Sequence, residues 1–581
     1  MSLANTLKDK LELRWLQGLL AVIVGAVLAG VLSWSLHWQG HDGAAVAVIG
    51  VWTMAAAFAV GLFLIRLLLT PRSPIIAVAR TVIDEAVRMR IAVVFIVAVA
   101  IVVPVLPMML DPKELLHYRV QTFLTWSITL LGWLLALMTI FVSCATICRD
   151  VSQSIVYTTL TKPLSRWGYL LGKWLGIGLL NIWLLAVSGI GVYTFTAVLE
   201  RMPIRVDDNR ERVKHEVLTA RAVVTPLPPA GMDLGKMVEN ELARLKRENP
   251  EDWQGPTRED DYDTIRQRLI TRWHTLAPVI GPGSGEDSVK RFFFRGLGHL
   301  REAAVRAQSE AEAKGDSVDT TGRLLQLRIK PQAAKDTQND QVNLLFVIND
   351  RPWPVRGGRP QLITINDNSF HMIHVPVNAI DEQGNLEVAI LNRQVSPPTS
   401  ISFAPGEGLE LMYRVGGFEG NLARALVMIW IRLGFLSMFG LAAGTFLGFP
   451  TACMVGMFVL VIGTVGGFIQ DALGYYGEAP GRDLEGWDRL MWYPLTIWTY
   501  VKTVKLWNII KILIRLLGML VVVVMVPAFG QSDPVALLAE GHFVSWTFLG
   551  KSALILGAVG TGATGLVGWL IWRKREVAII P

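Results

Sequence analysis

The sequence predicts an α-helical polytopic membrane protein of about eight spans plus one re-entrant or interfacial segment, with an inserted extracytoplasmic α+β domain that contains a β-sandwich. The first observation is composition: of 581 residues, 52% are hydrophobic and only 18% are charged, and the mean hydropathy is +0.42. The second is a set of uncharged runs of about 20 residues or more, the length that a helix needs to cross a bilayer. Because soluble domains carry about a quarter charged residues, these features exclude a soluble globular protein, a coiled coil and a disordered chain.

The third observation is the distribution of charge along the chain. Residues 201–420 contain 29 Lys and Arg against 31 Asp and Glu, so this block contributes −2 to the net charge of +7 and the remainder contributes +9. A charge content of about a quarter is ordinary for a soluble domain, which predicts a water-facing insertion between two sets of membrane helices. The predicted parts are an N-terminal helical hairpin at 1–70, a first membrane half at 75–200, the insertion at 201–420 and a second membrane half at 421–581.

Runs without charge predict the spans in chain order, since a helix needs about 20 apolar residues to cross the hydrocarbon layer. Gly448-Phe449-Pro450 interrupts the uncharged run 433–470, which therefore predicts two helices joined by a short turn. The run 516–531 is short for a span. The other runs, each interpreted as one span, are 15–41, 43–65, 91–110, 120–148, 174–199 and 552–572.

Basic clusters predict the orientation, because cytoplasmic loops carry an excess of Lys and Arg. If all of these clusters lie on the cytoplasmic side, residues 201–420 lie outside. The last span must then run from outside to inside, so 516–531 cannot be a full span and is interpreted as re-entrant or interfacial. Four basic residues just before 516 leave nine spans as the alternative. The basic clusters lie at 8–14, 66–90, 149–173 and 573–575.

The inserted block changes character along its length. Residues 233–275 carry apolar side chains at near-helical spacing and predict helices. Residues 324–415 instead form short β-type runs separated by turn signals, and about seven such strands are typical of a small β-sandwich. The predicted strands are Leu324–Ile329, Val342–Ile348, Leu362–Ile365, Met372–Val377, Leu386–Leu391, Ile401–Phe403 and Leu409–Val415.

The catalytic and metal-binding patterns that we tested are incomplete in this sequence. The string from Gly168 to Lys173 lacks the spacing of a phosphate-binding loop, and Trp174 follows it. His371 and His374 are three apart in a predicted strand and would point to opposite faces, so they do not make a metal pair. We therefore expect a non-catalytic chain with no metal site, no cofactor of its own and no nucleic-acid partner.

Arg432 is a charge within a predicted span. It lies about a third of the way into its helix if that helix begins near Arg424. An ionisable residue at membrane depth marks a functional site by default, whereas a long side chain can snorkel to the interface. Snorkelling toward the outer interface is the favoured interpretation.

The most informative stretch is residues 149–173, between two spans on the basic side. Asp150 is expected to begin a short amphipathic helix, and Lys162-Pro163 to end it, because the residue before proline disfavours helical geometry. Ser165 is expected to cap the next helix, which Arg166 and Lys173 would hold at the membrane interface. From these residues alone, the interpretation that assigns no specific function is a cytoplasmic loop that lies on the membrane surface.

With its flanks, this stretch resembles the ABC-2 family of ABC-transporter permeases. The family shows an acidic residue before a short cytoplasmic helix, then a Lys-Pro-x-Ser-Arg string and a Gly-Lys that opens the next span. This chain has Thr159-Leu160-Thr161-Lys162-Pro163-Leu164-Ser165-Arg166, followed by Leu171-Gly172-Lys173. Residues 80–88 resemble the family's interfacial helix, residues 444–452 its small-residue turn, and residues 533–576 its final region.

The resemblance implies a six-span core that starts near Ile91 and a cytoplasmic helix near 150–160 that docks on a separate ATPase subunit, where ATP and Mg bind. Family permeases act as dimers, so it also implies a homodimer or paired permease, surrounded by lipid in the inner membrane of a bacterium. The implied ATPase-interface residues are Asp150, Tyr157, Thr158, Lys162, Pro163, Ser165, Arg166 and Lys173, and those of the interfacial helix are Arg80, Glu85 and Arg88.

The implied function is that of a permease subunit, which couples ATP hydrolysis by the separate ATPase to export of a lipid-linked, polymeric or hydrophobic substrate. The N-terminal hairpin and the 201–420 insertion depart from the minimal family pattern, so the substrates of simpler relatives do not carry over. The alternative is a mechanotransmission or envelope-machinery subunit, in which the ATPase moves the outer domain and nothing crosses the membrane.

Overall fold

The chain divides into two units in this computed structural model. The helical unit comprises residues 1–219 and 417–581, and the β unit comprises residues 220–416, within the insertion predicted at 201–420. The residues that the structure describes are 22–70, 73–153, 165–201, 213–227, 243, 279–283, 285–314, 324–335, 340–356, 359–394, 397–403, 408–473 and 534–574.

Apolar helices build the helical unit. A π-helical stretch, Ala553–Gly560, joins its last two helices. In chain order the described helices are α1 (Val22–Trp38), α2 (Asp42–Leu68), α3 (Pro74–Arg88), α4 (Arg90–Met109), α5 (Leu116–Ser152), α6 (Arg166–Arg201), α7 (Gly298–Lys314, in the β unit), α8 (Phe418–Gly444), α9 (Phe449–Leu473), α10 (Pro534–Ala539), α11 (Trp546–Ser552) and α12 (Thr561–Lys574).

Within the described residues, six helices are long and apolar enough to cross a membrane: α2, α4, α5, α6, α8 and the continuous segment Trp546–Arg573. Helix α1 and the stretch Phe449–Thr464 of α9 count as shorter apolar helices, although α9 itself continues to Leu473. This count of six, made over the described residues alone, is lower than the predicted eight. The uncharged run 15–41 also includes turn residues, since Gly40, at a φ of 78°, lies in the turn after α1. The predicted segment 516–531 and the helices predicted at 233–275 lie outside the described residues.

Three helices extend well past the uncharged runs that predicted them. Helices α5 and α6 have 37 and 36 residues, which at 1.5 Å per residue is about 55 Å, against a hydrocarbon layer of about 30 Å. Helix α8 begins at Phe418, well before the run at 433, and carries Glu419 in its first turn. The helix ends therefore reach beyond the apolar layer, where polar side chains can pair between helices.

Two tryptophans fix α6 against α8 through backbone carbonyls. The indole N–H of Trp174 donates to the carbonyl of Gly434 at 2.8 Å. In the reverse direction, the indole N–H of Trp430 donates to the carbonyl of Gly178 at 3.0 Å. In an apolar medium a buried donor needs a protein partner, so these two bonds set the register of the two helices.

Antiparallel strands build the β unit, with α7 between the second and third of them. The described strands are β1 (Thr219–Val224), β2 (Val289–Phe294), β3 (Leu324–Ile329), β4 (Pro331–Ala333), β5 (Gln341–Ile348), β6 (Arg351–Trp353), β7 (Val355–Arg356), β8 (Arg359–Pro360), β9 (Ile363–Asn366), β10 (His371–Pro376), β11 (Leu386–Asn392), β12 (Ile401–Phe403) and β13 (Leu409–Gly417).

Two larger sheets share one hydrophobic core. The first has the order β1-β13-β3-β10, and the second has the order β2-β11-β5-β6 with β9 also paired to β5. Leu327 and Leu411 of the first sheet and Phe292 and Phe346 of the second belong to the same buried cluster. Every one of the seven predicted strands is present, with ends that differ by at most two residues. The strands β1, β2, β4, β6, β7 and β8 were not predicted.

The ends of the β unit leave from neighbouring strands, which makes the unit separable from the helices. Strand β1 at its beginning pairs with β13 at its end, and the unit has its own hydrophobic core. We therefore expect residues 219–417, expressed alone, to give a soluble protein with a β-rich far-ultraviolet circular dichroism spectrum. An insoluble product would show that the unit depends on the helices for its stability.

Candidate functional site

Four polar side chains from three helices meet where α5 ends and α6 begins. We call Glu85, Asp150, Tyr169 and Lys173 the polar node. Glu85 lies in the last turn of α3, Asp150 in the last turn of α5, and the other two in the first turns of α6. The node therefore flanks residues 154–164, which carry most of the Lys-Pro-x-Ser-Arg motif and lie outside the described residues.

Lys173 is the centre of the node. Its Nζ lies 2.8 Å from Oδ2 of Asp150 and 3.1 Å from Oε2 of Glu85. The hydroxyl of Tyr169 donates a hydrogen bond to the same Oδ2 of Asp150. The exposed fraction of the side chain is 2% for Lys173, 4% for Asp150 and 21% for Glu85. One buried ammonium group thus joins carboxylates from two other helices.

Burial makes the electrostatics of the node strong. Oδ1 of Asp150 is buried and has no hydrogen-bond partner among the described residues, so this carboxylate relies on Lys173 and Tyr169 for its stabilisation. Burial raises the pKa of the Glu85 carboxyl above its usual 4.5, and the Lys173 ammonium only partly offsets that rise. Removing the ammonium would leave two carboxylates close together with no cation between them.

Two glycines let α3 lie directly on α6. A Cβ atom on Gly172 would stand 2.8 Å from the carbonyl oxygen of Ile75, and one on Gly176 would stand 2.6 Å from that of Ala79. Both distances are too short for a real side chain. Because the backbones touch here, the last turn of α3 brings its carboxylate to Lys173.

The start of α6 is fixed by two side chains of the motif. Oγ of Ser165 accepts a hydrogen bond from the N–H of Gly168 at 3.0 Å, which confirms the predicted cap. The guanidinium of Arg166 donates to the carbonyls of Trp572 at 2.6 Å and Arg573 at 3.2 Å. Carbonyls at a helix C-terminus carry partial negative charge, so Arg166 ties α6 to the end of α12.

One local prediction is wrong. Asp150 does not begin a short helix, because it lies inside α5, which continues to Ser152. The side chain of Lys173 is buried beside Asp150 and Glu85, because each of these charges has its partner on another helix and does not need water. Four other predicted interface residues lie outside the described part of the chain: Tyr157, Thr158, Lys162 and Pro163.

The remaining predicted residues are placed as follows. The stretch 80–88 lies in α3, where Arg80 is half-buried and Arg88 is exposed. Since α8 begins at Phe418 rather than near Arg424, Arg432 lies near the middle of the helix instead of a third of the way along it. Its side chain is half-buried.

Tyr169 was not among the predicted site residues. Its spacing of four from Lys173 places both on one face of a helix, and this was the available signal. The node has the chemistry of a structural joint, since it combines one cation, two carboxylates and a phenol. In the described ranges, no group of three His, Cys, Asp or Glu side chains is placed to hold a metal ion.

Comparisons with protein-family models, curated proteins and solved structures find no match for this chain.

Proposed function

We propose that this chain is the membrane subunit of an ABC-2 type transporter, driven by a separate ATPase that binds ATP and Mg. The observation that carries the proposal is the polar node. It joins an amphipathic helix, α3, to both helices that flank residues 154–164, which carry the Lys162-Pro163-Leu164 part of the motif. A rigid joint at this place is what a subunit needs if force applied to that segment is to reach its spans.

The contacts give a route for such force. The segment 154–164 is anchored at one side by the last turn of α5 and at the other by the first turns of α6. Lys173 bonds to both Asp150 and Glu85, so α5, α6 and α3 would move together. A single extended residue, Met89, connects α3 to α4, and Arg166 holds the end of α12. A push on the segment would therefore move several spans at once.

The substrate class in this proposal is lipid-linked, polymeric or hydrophobic, exported across the inner membrane of a bacterium by a homodimer or paired permease. The alternative is mechanotransmission, and the separate core of the β unit favours it as a second candidate. In that case the ATPase stroke would move residues 220–416 on the outer side, and nothing would cross.

The direct test is to purify the full chain together with the ATPase encoded beside it and to measure ATP hydrolysis. We expect Lys162→Ala and Tyr157→Ala each to weaken ATPase binding about tenfold, the effect of a typical central interface residue. The matched control is Lys113→Ala, in the turn just before the first residue of α5. An ATPase that does not co-purify would refute both candidates, and stimulation of hydrolysis by a lipid-linked substrate would favour export over mechanotransmission.

A further inference from the structure

A cavity of about 640 Å³ opens beside the last turn of α5. Its walls are the first turn of α4, the last turns of α5 and the turn that joins α8 to α9. The thiol of Cys148 lies 3.6 Å from the carbonyl oxygen of Leu447, so the α8–α9 turn is tied to α5 on one side of the space. The volume is within the range of about 300–1,000 Å³ that is typical of ligand sites.

The lining of this cavity has two parts. Most of it is apolar, with Phe141, Val142 and Phe449 among the lining residues. Arg90 and Arg149 are the charged side chains in the described lining, and both are positive. Arg90 opens α4 and Arg149 lies in the last turn of α5, so both cations stand at helix ends, where lipid headgroups meet a membrane protein.

We propose that this cavity binds an anionic glycerophospholipid, with an acyl chain in the apolar part and the phosphate between Arg90 and Arg149. Basic pockets between membrane helices bind anionic headgroups, and arginine forms bidentate hydrogen bonds with phosphate. The apolar part provides the surface that a hydrocarbon chain fills. Lipid binding at this site does not require the ATPase, so its test is independent of the test of the proposed function.

The headgroup part of the site is tested by native mass spectrometry of the detergent-purified full chain with dioleoyl phosphatidylglycerol or dioleoyl phosphatidylcholine. We expect selective retention of phosphatidylglycerol. Arg90→Gln and Arg149→Gln should each weaken it about fivefold, the effect of one basic residue near an anionic lipid. Arg80→Gln, which removes the same charge outside the cavity, should leave it unchanged. Equal retention of the two lipids would overturn the proposal.

The acyl-chain part is tested by filling the cavity. A Cβ atom on Gly448 meets no atom within 4 Å, so Gly448→Leu adds a side chain to the lining without a clash. We expect this variant, and Ala145→Leu on the opposite wall, to weaken retention of phosphatidylglycerol about tenfold. Gly132→Leu is the matched control, since its Cβ also meets open space but lies outside the cavity. Wild-type retention in both filled variants, or full competition by glycerol phosphate alone, would overturn the proposal.

Discussion

Lys173→Met should destabilise the folded protein by about 3–5 kcal/mol, the usual cost of removing one partner from a buried ion pair. Methionine keeps most of the volume of the lysine, so the loss comes from the charge. Asp150 would keep a buried carboxylate with one hydrogen bond, from Tyr169, and no cation. Heat unfolding of the detergent-purified chain, followed by tryptophan fluorescence, measures the change in midpoint.

The double variant Asp150→Asn/Lys173→Met separates charge from packing. It removes both buried charges and keeps both shapes, and replacing a whole buried pair by neutral groups is often neutral for stability. We therefore expect it to recover most of the loss caused by Lys173→Met. If the double variant is as unstable as the single one, the ion pair is not the reason for the instability, and packing around Lys173 is.

Glu85 provides a control, because the direction in which its carboxyl changes stability with pH can be derived. Burial raises its pKa in the folded protein above the usual 4.5, so the folded state binds this proton more tightly than the unfolded state does. Its contribution to stability is present below the unfolded pKa and is lost as the pH rises through the raised folded value. Glu85→Gln should remove this slope and cost much less than Lys173→Met, because Glu85 is more exposed than Asp150.

The β unit and the polar node differ in how far the sequence predicts them. Strands such as β3 and β11 follow from alternation and turn signals within a few residues, so their ends were predicted closely. The node instead depends on pairs that are far apart in the chain, such as Lys173 with Glu85. A charge next to an apolar run looks the same whether it snorkels to the interface or finds a buried partner, and only the packing of helices decides between them.

The ends of the helices were also predicted less well than their apolar centres. An uncharged run marks the part of a helix that faces lipid or core, whereas the helix itself continues as long as backbone hydrogen bonds do. Helix α8 therefore includes Glu419 and Arg432, which a run without charge must exclude. Asp150, Tyr169 and Lys173 of the polar node lie in helix extensions of this kind. The prediction that Asp150 begins a helix was therefore wrong, although the apolar centres of the spans were located.

Gly172→Ala combined with Gly176→Ala should force α3 away from α6 and destabilise the chain by several kcal/mol. Each added methyl would stand within 2.8 Å of a carbonyl oxygen of α3, and overpacking of this kind costs about 1–3 kcal/mol per site. Because α3 carries Glu85, the shift would also open one side of the polar node. The unfolding midpoint measures the first effect, and ATPase stimulation in the co-purified complex measures the second.

Gly178→Ala is the matched control on the same helix. A Cβ atom there meets nothing within 4 Å, and alanine is the better helix former by about 1 kcal/mol, so this variant should be neutral or slightly stabilising. The change from glycine to alanine is thus expected to destabilise the chain at 176 and to be neutral or stabilising at 178. Helix propensity alone would favour alanine at both positions. If Gly176→Ala were as stable as Gly178→Ala, α3 would not lie against α6 at this distance. The route by which we propose that force reaches α3 would then lose its backbone contact and keep only the Lys173–Glu85 ion pair among the contacts named here.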